Sequence, residues 1–189
     1  MKHLNQYKNE SFNFKSLTSY KTESFNFKSL PLYITEYIIK KKLDKPINSE
    51  DHYEYSPKTK DDLIKVIHML LDKGETNFNC IDTSKITDMS LVFGEMLKIY
   101  DKDFDVSEWD VSNVTNMEFM FAECDNFEGK SIENWDVSNV ENISYMFDYC
   151  TSLNCNLNNW NVSKVKKKSG VFQGTRGIKN KVSWYKTLK

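Results

Sequence analysis

The sequence predicts an α/β solenoid, a short spiral of 25–28 residue repeats with one short strand and one short helix or turn per repeat. A capping helix precedes the repeats. The first observation behind this is a phrase that returns. Trp109-Asp110-Val111-Ser112-Asn113-Val114-Thr115-Asn116-Met117, running on to Met120-Phe121, recurs as Trp135-Asp136-Val137-Ser138-Asn139-Val140-Glu141-Asn142-Ile143, running on to Met146-Phe147. A later copy runs from Trp160 to Val171-Phe172, and an earlier one, with Ile81 in the Trp slot, ends at Val92-Phe93. The second observation is that no copy holds enough apolar residues for a core of its own. Stacked copies would instead form continuous ladders of Trp, Val, Met and Phe.

Composition agrees with an array. Hydrophobic content of 39% is low for a compact globule and charged content of 28% is high, as expected where each unit only has to cover its neighbour. The net charge of −1 hides an asymmetry: Lys164 to Lys189 holds nine basic residues and no acidic one, so residues 1–163 carry a net −10. A basic end on an acidic body suits intermolecular charge pairing or contact with an anionic surface. No apolar run reaches the ~18 residues of a membrane span. The polar start, Met1 to Leu17, lacks the apolar centre of a secretory signal, which favours a cytoplasmic or virion-associated protein over a secreted one. Cys80, Cys124, Cys150 and Cys155 are too few for a disulfide framework in 189 residues.

Residues 1–56 read as an arm. Tyr7 to Leu17 recurs as Tyr20 to Leu30, a 13-residue tandem duplication that repeats Phe12-Asn13-Phe14 as Phe25-Asn26-Phe27. It reads either as a twice-repeated docking peptide that gains avidity or as a slippage duplication in a flexible arm. Ile34, Ile38 and Ile39 ahead of Lys40-Lys41-Lys42 suit a short helix with a basic last turn. A Pro-containing linker follows, from Asp44 to Pro57.

Residues 57–79 form the capping helix. Thr59 and Asp62 resemble a capping box, Leu63, Ile64, Val66, Ile67, Leu70 and Leu71 make a wide apolar face, and Gly74 supplies the stop. Residues 80–175 form the solenoid. Phe93, Phe121, Phe147 and Phe172 step by 28, 26 and 25 residues, and Met89, Met117 and Ile143 share a column that Lys168 ends. Ile132 to Val137 alternates with period two and suits the strand, while Met117 to Glu123 suits the helix. Phe104 is assigned the slot of Ile132 and Leu157. Residues 176–189 form a basic C-terminal cap in which Trp184-Tyr185 folds over the last rung.

The run from Trp109 to Phe127, with Pro57 to Leu63 and Ile81 to Met89 as lead-in, resembles the BspA-like leucine-rich-repeat proteins, more narrowly the repeat domain of unknown function of mycoplasma lipoproteins. The resemblance covers residues 57 to 175. It implies a short right-handed leucine-rich-repeat-like solenoid in a bacterial surface or adhesion protein, and the missing signal peptide points toward a phage-encoded member. The family brings no catalytic residues.

Nothing else in the sequence points to catalysis. Asp101, Asp103 and Asp105 open like a calcium loop, but Val106 and Ser112 stand where that loop needs Gly and Glu, so a solvated acidic turn is the reading. Asp82, Asp110 and Asp136 form a column that caps turns. Cys124 and Cys150 share a slot as small buried thiols. No metal, cofactor or nucleophile set is expected. The function expected is a non-enzymatic protein-binding or structural module whose partner, or a second copy, meets Glu108, Glu118, Glu133, Glu141 and Tyr145 on the repeats or Phe12, Phe14, Phe25 and Phe27 on the arm. The alternatives are nucleic-acid or anionic-surface binding through Lys166, Lys167 and Lys168, and an enzyme with an unrecognised site.

Overall fold

A computed structural model describes residues 53–94 and 102–187, all within one compact unit. The longest element, α1 (Lys60–Asp72), begins where the sequence places a cap. Thr59 is extended; its Oγ accepts the Asp62 amide at 3.2 Å and its hydroxyl donates to the Asp62 carboxylate at 3.0 Å. Asp therefore fills the Glu/Gln position of a capping box, and Asp61 and Asp62 face the positive end of the helix dipole. Gly74, at φ 83, turns the chain out and donates to the Leu71 carbonyl at 2.8 Å. Leu63, Val66, Ile67, Leu70 and Leu71 are buried in the same apolar cluster as the repeat residues. Each such burial contributes roughly 1.5–3 kcal/mol. The other regular elements are short: a single 3₁₀ turn (Lys130–Ile132), α2 (Ile178–Lys181) and α3 (Ser183–Thr187).

Between these elements the backbone satisfies itself in an alternating way. In the turn after Asn116, the amides of Met117, Phe119, Phe121 and Glu123 donate to the carbonyls of Asn142, Ser144, Met146 and Asp148 in the next copy, at 2.7–3.0 Å. The amides in between, of Met120, Ala122 and Cys124, close local turns onto Met117, Phe119 and Phe121. The pattern repeats from Ile143, Tyr145, Phe147 and Tyr149 to Lys167, Ser169, Val171 and Gln173, and from Met89, Leu91 and Phe93 to Asn116, Glu118 and Met120. Parallel bridges pair Asp88 with Asn116, Asn116 with Asn142, and Asn142 with Lys167.

The core is a cluster of stacked rings. Phe93, Phe121, Phe147 and Phe172 follow one another at centroid spacings of 5.4, 5.6 and 5.6 Å with interplanar angles of at most 8°. Trp109 stacks on Trp135 at 6.4 Å and Trp160 on Trp184 at 6.3 Å. Each indole N–H donates to a carbonyl one copy back: Trp109 to Phe78, Trp135 to Val106, Trp160 to Ile132 and Trp184 to Leu157, at 2.6–3.1 Å. A buried indole needs such a partner, and here the partner is always the preceding copy.

Three expectations are corrected. The strand over Ile132 to Val137 is absent: Ile132 ends the 3₁₀ turn, the Trp135 amide turns back onto the Ile132 carbonyl, and no strand occurs among the described residues. The helix over Met117 to Glu123 is absent too, because Phe119 and Glu123 sit at φ 54 and 63, which an α-helix does not tolerate. Phe104 does not share the Ile132 slot. It stacks on Phe127 at 4.6 Å, and Val106 takes that slot, its carbonyl receiving the indole of Trp135.

Candidate functional site

Among the described residues, five non-glycine residues are held in the left-handed region, at two places that recur in successive copies. The first place is Leu91 (φ 61), Phe119 (φ 54), Tyr145 (φ 55) and finally Gly170 (φ 62). The second is Glu123 (φ 63), Tyr149 (φ 55) and Gly174 (φ 69). Bulky residues at positive φ cost on the order of 1 kcal/mol each or more, which glycine would avoid. They are kept here in a partly exposed row two columns wide, with Tyr149 in the second column. Leu91 and Tyr149 are each 52% exposed, and Phe119 and Tyr145 are half-buried.

Part of the strain is offset inside the row. The rings of Phe119 and Tyr145 stack at 4.8 Å and 5°, worth about 0.5–1.5 kcal/mol. Tyr145 and Tyr149 then lie so close over Gly170 and Gly174 that a Cβ at either glycine would collide with the ring. Leu91 and Tyr149 nevertheless keep about half of their surface in water. Large side chains are thus held in costly backbone while partly in contact with water. The surroundings are acidic: Glu118, Glu123 and Asp148 are half-buried beside the row in the chain. Burial raises the Asp148 carboxyl above its usual range, and its Oδ1 is buried with no hydrogen-bond partner among the described residues.

The remaining acidic columns cap turns. Asp82 Oδ1 accepts the Ser84 amide at 3.0 Å and its hydroxyl at 2.6 Å; Asp110 treats Ser112 alike, and Asp136 accepts the Ser138 amide at 3.0 Å. Burial pushes the Asp82 carboxyl up, but the Ser84 and Ser56 hydrogen bonds outweigh it and hold it below its ordinary value. Asp88 and Asp105 are lowered by the same balance, burial against the bonds from Ser90 and Ser107, while in Asp136 the Ser138 bonds dominate. Asp103 accepts the Glu128 amide at 3.3 Å and Asp105 the Ser107 amide at 2.9 Å; Asp101 lies outside the described residues. Among the described residues no group of three or more His, Cys, Asp or Glu is gathered to hold a metal ion.

The expected contact residues separate into groups. Glu141 and Lys166 are brought together as a 3.0 Å ion pair on the surface, and Lys167 bridges to Asn142. Glu133 accepts the Asn156 amide at 2.8 Å, and Glu108 donates its amide to Asn79 at 3.0 Å. Glu118 and Tyr145 both belong to the strained row or its edge, while Lys168 takes the last position of the methionine column. Phe12, Phe14, Phe25 and Phe27 lie outside the described residues. Sequence reasoning missed Leu91, Phe119 and Tyr149. A signal existed: Gly170 and Gly174 stand where earlier copies have bulky residues, which betrays the backbone they all share.

The thiols are shielded. Cys124 and Cys150 are free and buried, and their S–H groups point at the carbonyls of Phe93 and Phe121, at 3.6 and 2.8 Å. Burial pushes the thiols of Cys124 and Cys155 up to about 12 and that of Cys150 higher still, so none offers a thiolate at neutral pH.

The described residues thus form a domain with few regular elements around a large buried aromatic cluster, with a strained apolar row on its surface. The chain belongs to the family described as mycoplasma protein of unknown function, DUF285, whose family model matches residues 64–185, more than half of its length. The chain matches no curated protein and no solved structure.

Proposed function

We propose that the chain is a non-enzymatic protein-binding module in which the copies wind as a short right-handed solenoid of the leucine-rich-repeat type. The in-register columns of Trp and Phe and the copy-to-copy amide bonds support the winding. The observation that carries the function is the row of Leu91, Phe119, Tyr145 and Tyr149, held at positive φ and left partly in water. A row held rigid by its backbone and by stacked rings, with two tyrosines among them, loses little side-chain entropy when a partner covers it, which is the property of binding hot spots. The inert thiols and the carboxylates engaged in turn capping fit a scaffold better than a catalyst. The resemblance to BspA-like proteins favours a place on a bacterial surface or a phage particle.

The test is photo-crosslinking in the native host, with a benzophenone side chain in the full chain at position 91 or 149 or, as control, at exposed Lys85. A protein adduct formed from 149 and not from 85 is expected. If positions 91 and 149 both stay unlinked to any protein, the reading is wrong. A second reading, phosphate contact by the basic end, is favoured by the nine basic residues after Val162 in a stretch without an acid. It requires a gel shift that weakens steeply with salt.

A further inference from the structure

The strained row has a counterpart on the same chain. Described residues 102–163 carry twelve acidic side chains against Lys102 and Lys130 only, whereas Lys164 to Lys189 carries nine basic ones and no acid. Within that basic stretch Lys167, Arg176 and Lys186 are exposed. The row presents the half-exposed ring of Tyr149, with Asp148 beside it in the chain, Glu118 beside Phe119 and Glu123 at the next left-handed position, a setting that attracts a cation both by charge and by the ring quadrupole. No other stretch of this sequence is as basic without an acid as its own last 26 residues.

We propose that the Leu91–Phe119–Tyr145–Tyr149 row docks the basic C-terminal end of a second copy of this chain. The inference rests on the row being a binding surface and names its occupant. The two patches are different, so the contact is heterologous. Such a contact does not stop at two chains; it adds copies end to flank, as open chains or closed rings. Two kinds of attraction combine at the row. Lys and Arg head groups meet the exposed Tyr149 ring and the flanking carboxylates, and their aliphatic stems cover the apolar row. Because the charges are at the surface, the association weakens as salt shortens the Debye length from about 10 Å at 0.1 M toward 3 Å at 1 M.

The experiment is sedimentation velocity on the full chain over a range of concentrations, at low and high salt, with two variants. Tyr149→Ala removes the exposed ring of the row; the paired variant Arg176→Glu, Lys186→Glu reverses exposed charges of the end. Near-UV circular dichroism verifies that each keeps native packing. At low salt the parent is expected to grow past two chains with concentration and to fall back to single chains at high salt. Each variant alone is expected to associate about tenfold more weakly or less. Mixed together, they are expected to form a discrete 1:1 pair, because one retains only the end and the other only the row. A symmetric dimer that stops at two, growth indifferent to Tyr149→Ala, or a mixture that forms no pair overturns the proposal. A parent that stays single while position 149 crosslinks to a different basic protein also overturns it, yet leaves the binding role of the row intact.

Discussion

Phe121 lies at the centre of the ring cluster, and replacing it tests what holds the domain together. Its side chain is fully buried and its ring lies 4.5 Å from Phe127, 5.4 Å from Phe93, 5.6 Å from Phe147, 6.0 Å from Trp135 and 6.1 Å from Phe104. Phe121→Ala removes the link between the copies on both sides and leaves a cavity that stacked rings cannot easily collapse into. Core Phe→Ala changes cost about 3–5 kcal/mol, and the number of ring partners places this one toward the upper end. At roughly 3–4 °C per kcal/mol for a domain of this size, the melting temperature should fall by about 10–20 °C. That is a large part of the ~5–15 kcal/mol available to a folded domain. Thermal and urea unfolding followed by tryptophan fluorescence measure it, with Leu91→Ala as a comparison at a half-exposed site, expected to cost below about 1 kcal/mol. Were Phe121→Ala to cost no more than Leu91→Ala, the stacked column would not be the source of stability.

Three further outcomes follow from geometry. Gly170→Ala and Gly177→Ala both place a side chain at positive φ, but only at 170 does the new Cβ meet the Tyr145 ring, so it should lose about 1–3 kcal/mol in urea unfolding and the 177 change visibly less. The carboxyls of Asp82, Asp88, Asp105 and Asp136 sit below their unfolded values, so their contribution is present above the ordinary Asp pKa of about 3.9 and lost as pH falls through the depressed folded value. Unfolding free energy should therefore drop on acidification from about pH 5, and Asp136→Asn, which keeps the acceptor for Ser138 but cannot titrate, should flatten that drop. Ellman's reagent at pH 8 should reach half-buried Cys80 first, with Cys124, Cys150 and Cys155 reacting only upon unfolding; rapid native labelling of all four thiols would contradict the shielded geometry.

The sequence was informative wherever a residue's identity sets its neighbours. Trp109, Trp135 and Trp160, and the four phenylalanines, fall into columns because a fixed repeat forces equal environments. Thr59, Asp62 and Gly74 mark the ends of α1 through chemistry local to those positions. What stayed hidden was backbone hand. Met117 to Glu123 contains residues suited to a helix, and nothing about Phe119 or Glu123 announces φ values of 54 and 63. Those values come from the neighbouring copy, whose carbonyls of Ser144 and Asp148 fix the amides of both residues. Tertiary bonding thus overrides local preference. The period-two pattern of Ile132 to Val137 misled for a related reason: Trp135 and Val137 alternate like one side of a strand, but Ile132, on the other side of such a strand, is buried with them because the chain turns there. The strained row was half legible, through Tyr145, and its other members escaped notice because their slots change residue type in every copy.

The alternation of amides has a consequence for how such a molecule can change size. Alternate amides of each copy go to the one after it, while the amides of Thr115, Glu141 and Lys166 and the indoles return to the one before, so successive joints repeat the same bonds. Under the proposed winding, a gene duplication that inserts one more unit would find matching joints on both sides, with α1 before it and Trp184 after it in the chain. Spacings of 28, 26 and 25 residues between the same phenylalanines already coexist, so irregular insertions between joints are tolerated. Evolution can therefore lengthen or shorten this molecule like a chain of links, without redesigning any single one.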